Sequence, residues 1–239
     1  AMGSIANGMA LHGGVFPVVG TFLVFADYMR PSIRMAALSK AKVAFVWSHD
    51  SVGVGEDGPT HQPVEQIASL RAIPDFPVIR PADANEVSQA WAVAAKRRGP
   101  TGLILSRQNL PILEGTNRSN QVAMGAYTLI DAPDPAVILA GTGSEVQLCV
   151  EAAAALAQDG VPTRVVSMPC WELFEEQNDD YRYEVLLEDV PIVGVEAGIS
   201  LGWERYADLT VTIDRFGASA PGDVAMKQFG FTAANVESV

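Results

Sequence analysis

The chain has 239 residues, enough for two modest domains with buried cores. Its 28 acidic and 16 basic side chains give a net charge of −12, which disfavours nucleic acid and anionic membrane surfaces as partners. The two cysteines, Cys149 and Cys170, form neither a disulfide framework nor a metal-binding pattern, as is typical of a reducing cytosol. We therefore expect a cytoplasmic protein without a membrane anchor, because no apolar run approaches membrane-spanning length.

The acidity is concentrated in the second half of the chain. Residues 1–116 carry 10 basic and 9 acidic side chains, whereas residues 117–239 carry 6 and 19. The polar, turn-rich segment 111–125 coincides with this shift and is typical of a linker. We therefore predict one domain at 1–116 and a second at 117–239, and we expect any phosphorylated substrate to bind to the first.

The first two predicted elements are helical. Residues 1–12 are predicted to form a small-residue helix, and three of its apolar side chains are available to pack: Ile5, Met9 and Leu11. In the segment 20–38, three aromatic residues recur at every third position: Phe22, Phe25 and Tyr28. Their rings would share one face of a helix, and such a stripe usually packs a core. Pro31 is expected to end this pattern, with a second helix from Ser32 to Ser39.

The segment 48–66, SHDSVGVGEDGPTHQPVEQ, holds most of the candidate chemistry. It follows Val43–Trp47, an apolar run typical of a strand buried in a parallel sheet. Polar residues after such a strand lie at its carboxyl end, where ligand crevices form. Five candidates are placed there: His49, Asp50, Glu56, Asp57 and His61.

The same segment is predicted to fold tightly. Its glycines at 53, 55 and 58 permit conformations that other residues resist. Pro63 predicts a helix over 63–72, which would place His61 beside a helix N-terminus that favours anions. Two of the chain's three histidines within thirteen residues indicate a functional site, while an ordinary polar loop is the alternative interpretation.

The remainder of the first half is predicted to alternate strands and helices. A strand at 76–79 precedes Asp83, which with Glu86 resembles a capping box for a helix ending before Gly99. A further strand at 102–105 leads to Arg107. A single arginine in that position is usually at the surface or ion-paired.

The second half shows the same alternation. Strands are predicted at 137–140, 164–167 and 192–195, with a helix from Glu145 to Gln158. The Gly-Thr-Gly at 141–143 lacks the third glycine and the acidic residue of a dinucleotide site, so a tight strand-to-helix turn is predicted. Both halves are thus predicted to be α/β domains with mostly parallel sheets flanked by helices.

Several long motifs resemble transketolase, the thiamine-diphosphate enzyme of the pentose phosphate pathway of carbohydrate metabolism. They are GTFLVFADYMRPSIRMAALS at 20–39, HDSVGVGEDGPTHQPVEQ at 49–66, SRQNLP at 106–111, GTGSEVQL at 141–148, FGASAP at 216–221 and FGFTAANV at 229–236. The resemblance spans essentially the whole chain. It covers only the later part of the family's middle, pyrimidine-binding domain together with its C-terminal domain.

The resemblance implies that a two-carbon ketol unit passes from a ketose phosphate to an aldose phosphate with thiamine diphosphate as cofactor. It implies a cofactor pocket formed by Phe22, Phe25 and Tyr28, with Phe25 preferred as the stacking ring. His61 would contact the cofactor and the reacting oxygens, and Asp57 would read a substrate hydroxyl, so both count as catalytic candidates. His49 and Arg107 would hold the substrate phosphate.

The resemblance also implies what this chain does not carry. The ligands of the Mg²⁺ or Ca²⁺ ion, including a Gly-Asp-Gly segment, belong to the family's N-terminal domain, and a catalytic glutamate would lie just before Ala1. Family members are homodimers whose active sites are shared between subunits. We therefore expect the chain alone to be an inactive part of a longer enzyme.

Two other interpretations stay open. Related thiamine-diphosphate enzymes are dihydroxyacetone synthase and 1-deoxyxylulose-5-phosphate synthase, the second of which shares the GEDGPTH core. The flanking SHDSVGVG and SRQNLP favour transketolase over both. The chain could instead be a catalytically dead dimerisation or regulatory module that retains half of a site.

Overall fold

The computed structural model describes residues 1–239 and consists of two α/β units. The first is built on a fully parallel four-stranded sheet in the order β1-β2-β4-β3. Its strands are β1 (Val18–Phe22), β2 (Ala44–Ser48), β3 (Val78–Ile79) and β4 (Thr101–Ile104). Its helices are α1 (Met2–His12), α2 (Ala26–Ser39), α3 (Gln66–Arg71) and α4 (Ala84–Lys96).

The second unit is built on a five-stranded sheet in the order β5-β7-β6-β8-β9. Only β5 runs antiparallel to its neighbour. The strands are β5 (Tyr127–Ile130), β6 (Val137–Gly141), β7 (Thr163–Ser167), β8 (Ile192–Val195) and β9 (Leu209–Val211). The helices are α5 (Val146–Gln158), α6 (Trp171–Glu175), α7 (Asp179–Val185), α8 (Gly222–Gln228) and α9 (Ala233–Ser238).

The predicted class, two α/β units with mostly parallel sheets, is confirmed. Strands β2, β4, β6, β7 and β8 lie within one or two residues of their predicted positions because continuous apolar runs are typical of strands covered on both faces. No regular strand or α-helix lies between β4 and β5. The exact boundary at 116/117 stays a prediction.

Three predictions about the first unit were wrong. Residues 18–22 form a strand, so the segment 20–38 does not begin as a helix. Helix α2 then runs unbroken through Pro31 to Ser39. The proline lacks only one intrahelical donor there, and its cost is offset by the helix face that buries Met29 and Ile33. Helix α3 begins at Gln66, three residues later than predicted.

Helix α1 is present as predicted, but its apolar side chains do not pack inward. Ile5 and Leu11 are 63% and 61% exposed, and Met9 is also exposed. The helix instead contacts α2 through small and polar residues. A Cβ at Gly3 would lie 2.8 Å from a Met29 side-chain atom, and Asn7 Nδ2 donates to the Ser32 carbonyl at 2.8 Å. No helix of the protein is both long and apolar enough to cross a membrane.

The predicted capping box at the start of α4 is only half formed, and the other half joins the two units. Asp83 accepts from the Glu86 backbone N–H at 3.0 Å, as expected of an N-cap. One Glu86 carboxylate oxygen accepts from the backbone N–H of Ala82, not of Asp83, at 2.7 Å, and the other accepts from Tyr127 Oη and Ser167 Oγ of the second sheet, each at 2.6 Å. Burial raises the pKa of Glu86 above its usual value.

Candidate active site

The predicted site residues converge on the carboxyl edge of the first sheet. Strands β1, β2 and β4 are adjacent and parallel, and their register pairs Phe22 with Ser48 and Trp47 with Ile104. Phe22 therefore ends one strand, His49 follows the next, and Arg107 follows the third a few residues on. The sheet thus brings together three segments that are far apart in sequence, as the crevice argument predicted.

The three aromatic residues form a continuous row along this edge. The centroids of Phe22 and Phe25 are 6.4 Å apart, and those of Phe25 and Tyr28 are 6.2 Å apart. The row is not a helical stripe, because Phe22 closes β1, Phe25 closes a 3₁₀ turn and Tyr28 lies in the first turn of α2. Tyr28 is 86% exposed, so the row is not ordinary core packing and leaves apolar ring surface open to a ligand.

Both loop histidines contact this row. His49 stacks on Phe22 with 3.6 Å between ring centroids, and His61 meets Phe25 edge-on at 5.6 Å. The backbone of His49 has a φ of 63°, a left-handed conformation that is uncommon outside glycine.

The charge environment of His49 includes two other predicted residues. Burial lowers the pKa of His49, and the positive charge of Arg107 lowers it further. The carboxylates of Asp57 and Asp50 act in the opposite direction. Arg107 and Asp57 are both exposed.

His61 lies in a turn rather than at a helix N-terminus, which corrects the prediction made from Pro63. Its backbone N–H donates to the Gly58 carbonyl at 3.0 Å, and α3 starts five residues later. Gly58 has a φ of 73°, which allows the chain to reverse there. The half-buried His61 ring is held by Thr60 Oγ1, 2.9 Å from its Nδ1.

The second unit supports this loop directly. Ser219 Oγ donates to the Glu56 carbonyl at 2.6 Å, next to Asp57. Gln62 Nε2 donates to the carbonyls of Gly55 at 2.8 Å and Ala218 at 3.0 Å. The loop that carries Asp57 and His61 is therefore held in shape by contacts from both halves of the chain.

Asp50 is buried, unlike the exposed loop candidates Glu56 and Asp57. It is 1% exposed, and its Oδ2 accepts from Arg80 Nη2 at 2.8 Å and from Ser106 Oγ at 2.9 Å. Sequence reasoning missed both partners. The only available signal was an arginine at the end of a short apolar strand, where it would be expensive to bury without a carboxylate.

The residues present fit one end of thiamine diphosphate and not the other. Exposed aromatic faces beside two imidazoles match an aromatic heterocycle that carries an amino group. No group of three or more His, Cys, Asp or Glu side chains could hold a metal ion.

Comparison with known proteins gives the same picture. Residues 1–112 match the family "Transketolase, pyrimidine binding domain", and residues 125–232 match "Transketolase-like TK C-terminal domain". The chain is 52% identical to the transketolase of Aquifex aeolicus and 49% identical to that of Bacillus subtilis. Each alignment covers 99% of the chain but only 35% and 37% of the relative.

Solved structures agree with the sequence comparisons. The transketolase of Leishmania mexicana superposes with a TM-score of 0.97 at 50% identity, covering 99% of this chain and 35% of that one. The transketolase of Campylobacter jejuni gives a TM-score of 0.94 at 40% identity, over 99% and 37% of the two chains. The chain thus spans about a third of the length of the relatives that it matches.

Proposed function

The chain belongs to the transketolase family, and we propose that it supplies the pyrimidine-binding half-site of an enzyme that transfers a two-carbon ketol unit between sugar phosphates. One observation carries this proposal. An open row of aromatic rings meets two imidazoles at the carboxyl edge of a parallel sheet, with a cation and a carboxylate beside them. This arrangement offers a surface for a heterocycle next to groups that bind a phosphorylated sugar.

The proposed roles follow from position and charge. Phe25 lies at the centre of the aromatic row and provides the main stacking surface for the aminopyrimidine, flanked by Phe22 and Tyr28. His61, edge-on to Phe25, is placed to exchange hydrogen bonds with the cofactor's amino group and with the oxygens of the reacting carbon. Thiamine diphosphate, when bound, supplies the carbon nucleophile and stores the electron pair of the transferred unit.

The substrate residues divide into two groups. Arg107 is an exposed cation with no carboxylate partner within the chain, so its guanidinium is free to bind a phosphate. His49 lies close enough for its pKa to be lowered by Arg107, so the two can bind one anion together. Asp57 is exposed on the same loop as His61 and can accept from a sugar hydroxyl.

The remaining parts of the enzyme would come from outside this chain. We propose that the diphosphate and its Mg²⁺ or Ca²⁺ ion are bound by a preceding domain, in a homodimer whose active site lies between subunits. We further propose a cytoplasmic location, a role in the pentose phosphate pathway, and a division into domains at 1–116 and 117–239. The continuous apolar surface of α1 and β1, with exposed Ile5, Met9 and Val18, is consistent with further protein covering this side.

The test is a ketol-transfer assay on the full-length enzyme that carries this chain, loaded with thiamine diphosphate and Mg²⁺. We expect transfer from a ketose phosphate to an aldose phosphate. Arg107→Ala should raise the KM for the phosphorylated donor by about one to two orders of magnitude, because a charge-assisted phosphate contact is worth about 1.5 to 3 kcal/mol. Arg98→Ala, at another exposed arginine without a carboxylate partner, is the matched control and should change nothing.

Two results would contradict the proposal. An unchanged KM in Arg107→Ala would remove Arg107 from the phosphate site. A full-length enzyme that binds the cofactor but transfers no ketol unit would favour the catalytically dead module instead.

A further inference from the structure

A chain of hydrogen bonds leads from the second unit to the sequence neighbours of the two proposed phosphate-binding residues, His49 and Arg107. The strongest link is Asp50, which directly follows His49 in sequence. Its Oδ2 accepts from Ser106 Oγ at 2.9 Å, and Ser106 directly precedes Arg107. One carboxylate oxygen therefore joins the residue after His49 to the residue before Arg107, although these segments follow different strands, β2 and β4.

Asp50 is held in turn by Arg80. The Nε and Nη2 atoms of Arg80 lie 3.1 and 2.8 Å from the same Asp50 oxygen. Both side chains are buried. A buried arginine with several donors engaged is a rigid support, because its planar group cannot rotate without breaking those hydrogen bonds.

Arg80 is oriented by the second unit. Its Nη1 donates to the carbonyl and to the hydroxyl of Thr142, each at 2.9 Å, and forms an ion pair with Glu145. Its own backbone carbonyl accepts from the Gly143 N–H at 3.1 Å. These three residues belong to the Gly-Thr-Gly-Ser-Glu turn after β6, the same turn that lacks the features of a dinucleotide site.

Gly143 shows that this turn is shaped around the arginine. Its φ is 55°, and a Cβ built on it would lie 2.7 Å from Arg80 Cζ. No other residue fits between the turn and the guanidinium. Thr142 continues the network by donating to Glu196 at 2.9 Å, which binds Arg71 through both of its oxygens.

We propose that the 141–145 turn and Arg80 form a positioning relay through which the second unit sets the placement of His49 and Arg107 at the substrate phosphate. This inference rests on the proposed function. It gives the second unit a defined role in substrate binding, although none of its residues in this relay reaches the crevice. Ser106, Arg80 and Thr142 act as positioning residues through Asp50.

The relay is tested in the loaded full-length enzyme with two small deletions. Ser106→Ala removes the hydroxyl that donates to Asp50. Thr142→Val, at the other end of the relay, removes the hydroxyl that accepts from Arg80. Each should raise the KM for a phosphorylated ketol donor by about tenfold to a hundredfold, since small misplacements of binding groups have effects of that order. The KM for an unphosphorylated ketol donor should not change.

Matched controls separate positioning from general destabilisation. Ser167→Ala and Thr116→Val also remove buried hydroxyls that donate to carboxylates, of Glu86 and Asp83, but neither network leads to the crevice. Both should leave the two KM values unchanged. The relay would be overturned if KM rose equally for the phosphorylated and the unphosphorylated ketol donor, or if it rose equally in the relay variants and in the controls.

A readout that does not depend on turnover completes the test. A crystal structure of Thr142→Val should show the His49 ring displaced from Phe22 or its φ outside the left-handed region. Unchanged His49 geometry with unchanged KM would refute the relay. If Arg107→Ala affects only the phosphorylated donor while Ser106→Ala affects neither, the relay fails and the proposed function stands. If the wild-type enzyme transfers nothing, the proposed function fails, and the crystal structure alone decides on the relay.

Discussion

Replacing Tyr127 with phenylalanine tests how the two units are joined. Tyr127 Oη lies 2.6 Å from a Glu86 oxygen, and burial together with that carboxylate raises the pKa of Tyr127 far above its usual range. The hydroxyl therefore stays protonated and donates. Glu86 has no cationic partner and is satisfied only by two hydroxyls and the Ala82 backbone N–H. Removing one of these donors should be most costly where Glu86 is ionised, because a buried carboxylate then has one donor fewer.

The magnitude follows from the charge on the acceptor. Hydrogen bonds to charged groups contribute about 1.5 to 3 kcal/mol, against about 0.5 to 1.5 kcal/mol for neutral pairs. Tyr181→Phe is the matched control, because Tyr181 Oη donates to the uncharged Ala126 carbonyl at 2.8 Å. Urea unfolding at a pH above the folded pKa of Glu86, followed by tryptophan fluorescence, should show a midpoint lower by about 0.5 to 1 M for Tyr127→Phe if the slope is about 3 kcal/mol per M.

The hydrogen bond between Tyr127 and Glu86 also predicts how stability depends on pH. Because the folded-state pKa of Glu86 is raised, the folded protein binds its proton more tightly than the unfolded chain does. The Glu86 contribution to stability is therefore full below the ordinary glutamate pKa and is lost as pH rises through the folded pKa. The extra cost of Tyr127→Phe over Tyr181→Phe should be larger above the folded pKa of Glu86 than below it, because only the ionised carboxylate accepts a charge-assisted hydrogen bond. A cost of Tyr127→Phe no greater than that of Tyr181→Phe at every pH would refute the charged-acceptor argument.

Three further predictions concern the site, the turn and the thiols. In NMR titrations His49 should have a pKa below its usual value, and Arg107→Ala should raise it, because burial and the arginine both lower it; an unshifted value would contradict their proximity. Gly143→Ala should lower the unfolding free energy by about 3 kcal/mol or more, while Gly160→Ala, at a similar positive φ with open space, should cost about 1 kcal/mol. Both cysteines are buried with pKa values raised mainly by desolvation, so neither should react with a thiol reagent at pH 8 until the protein is unfolded.

Much of the fold follows from local patterns. Continuous apolar runs located β2, β4, β6 and β8, since a strand between two helical layers must be apolar on both faces. Asp83 located the start of α4, because only a short side chain with an oxygen can satisfy the free N–H of the first turn. Both features depend on neighbours in sequence and therefore can be identified without the tertiary structure.

Local patterns failed where distant contacts outweighed them. Pro31 was expected to end a helix, but the apolar face of α2 packs on the sheet and keeps the helix intact. Glu86 was expected to complete a capping box, but two hydroxyls of the second sheet compete successfully for its carboxylate. In each case the deciding contact is made only in the folded protein, by tertiary packing, and cannot be read from the spacing of residues in the sequence.

The candidate site also has features that the sequence predicts and features that only the folded structure shows. Sequence alone predicted the fold class, which is confirmed, and its resemblance to the family's long motifs proposed His49, Asp57, His61, Arg107 and the aromatic residues as site residues. Only the tertiary structure decided that Asp50 belongs to the core, paired with Arg80 and, through it, with a turn some 60 residues further along the chain. The physical reason is that a buried charge is stable only with its partners in place, and those partners meet only when both sheets are folded together.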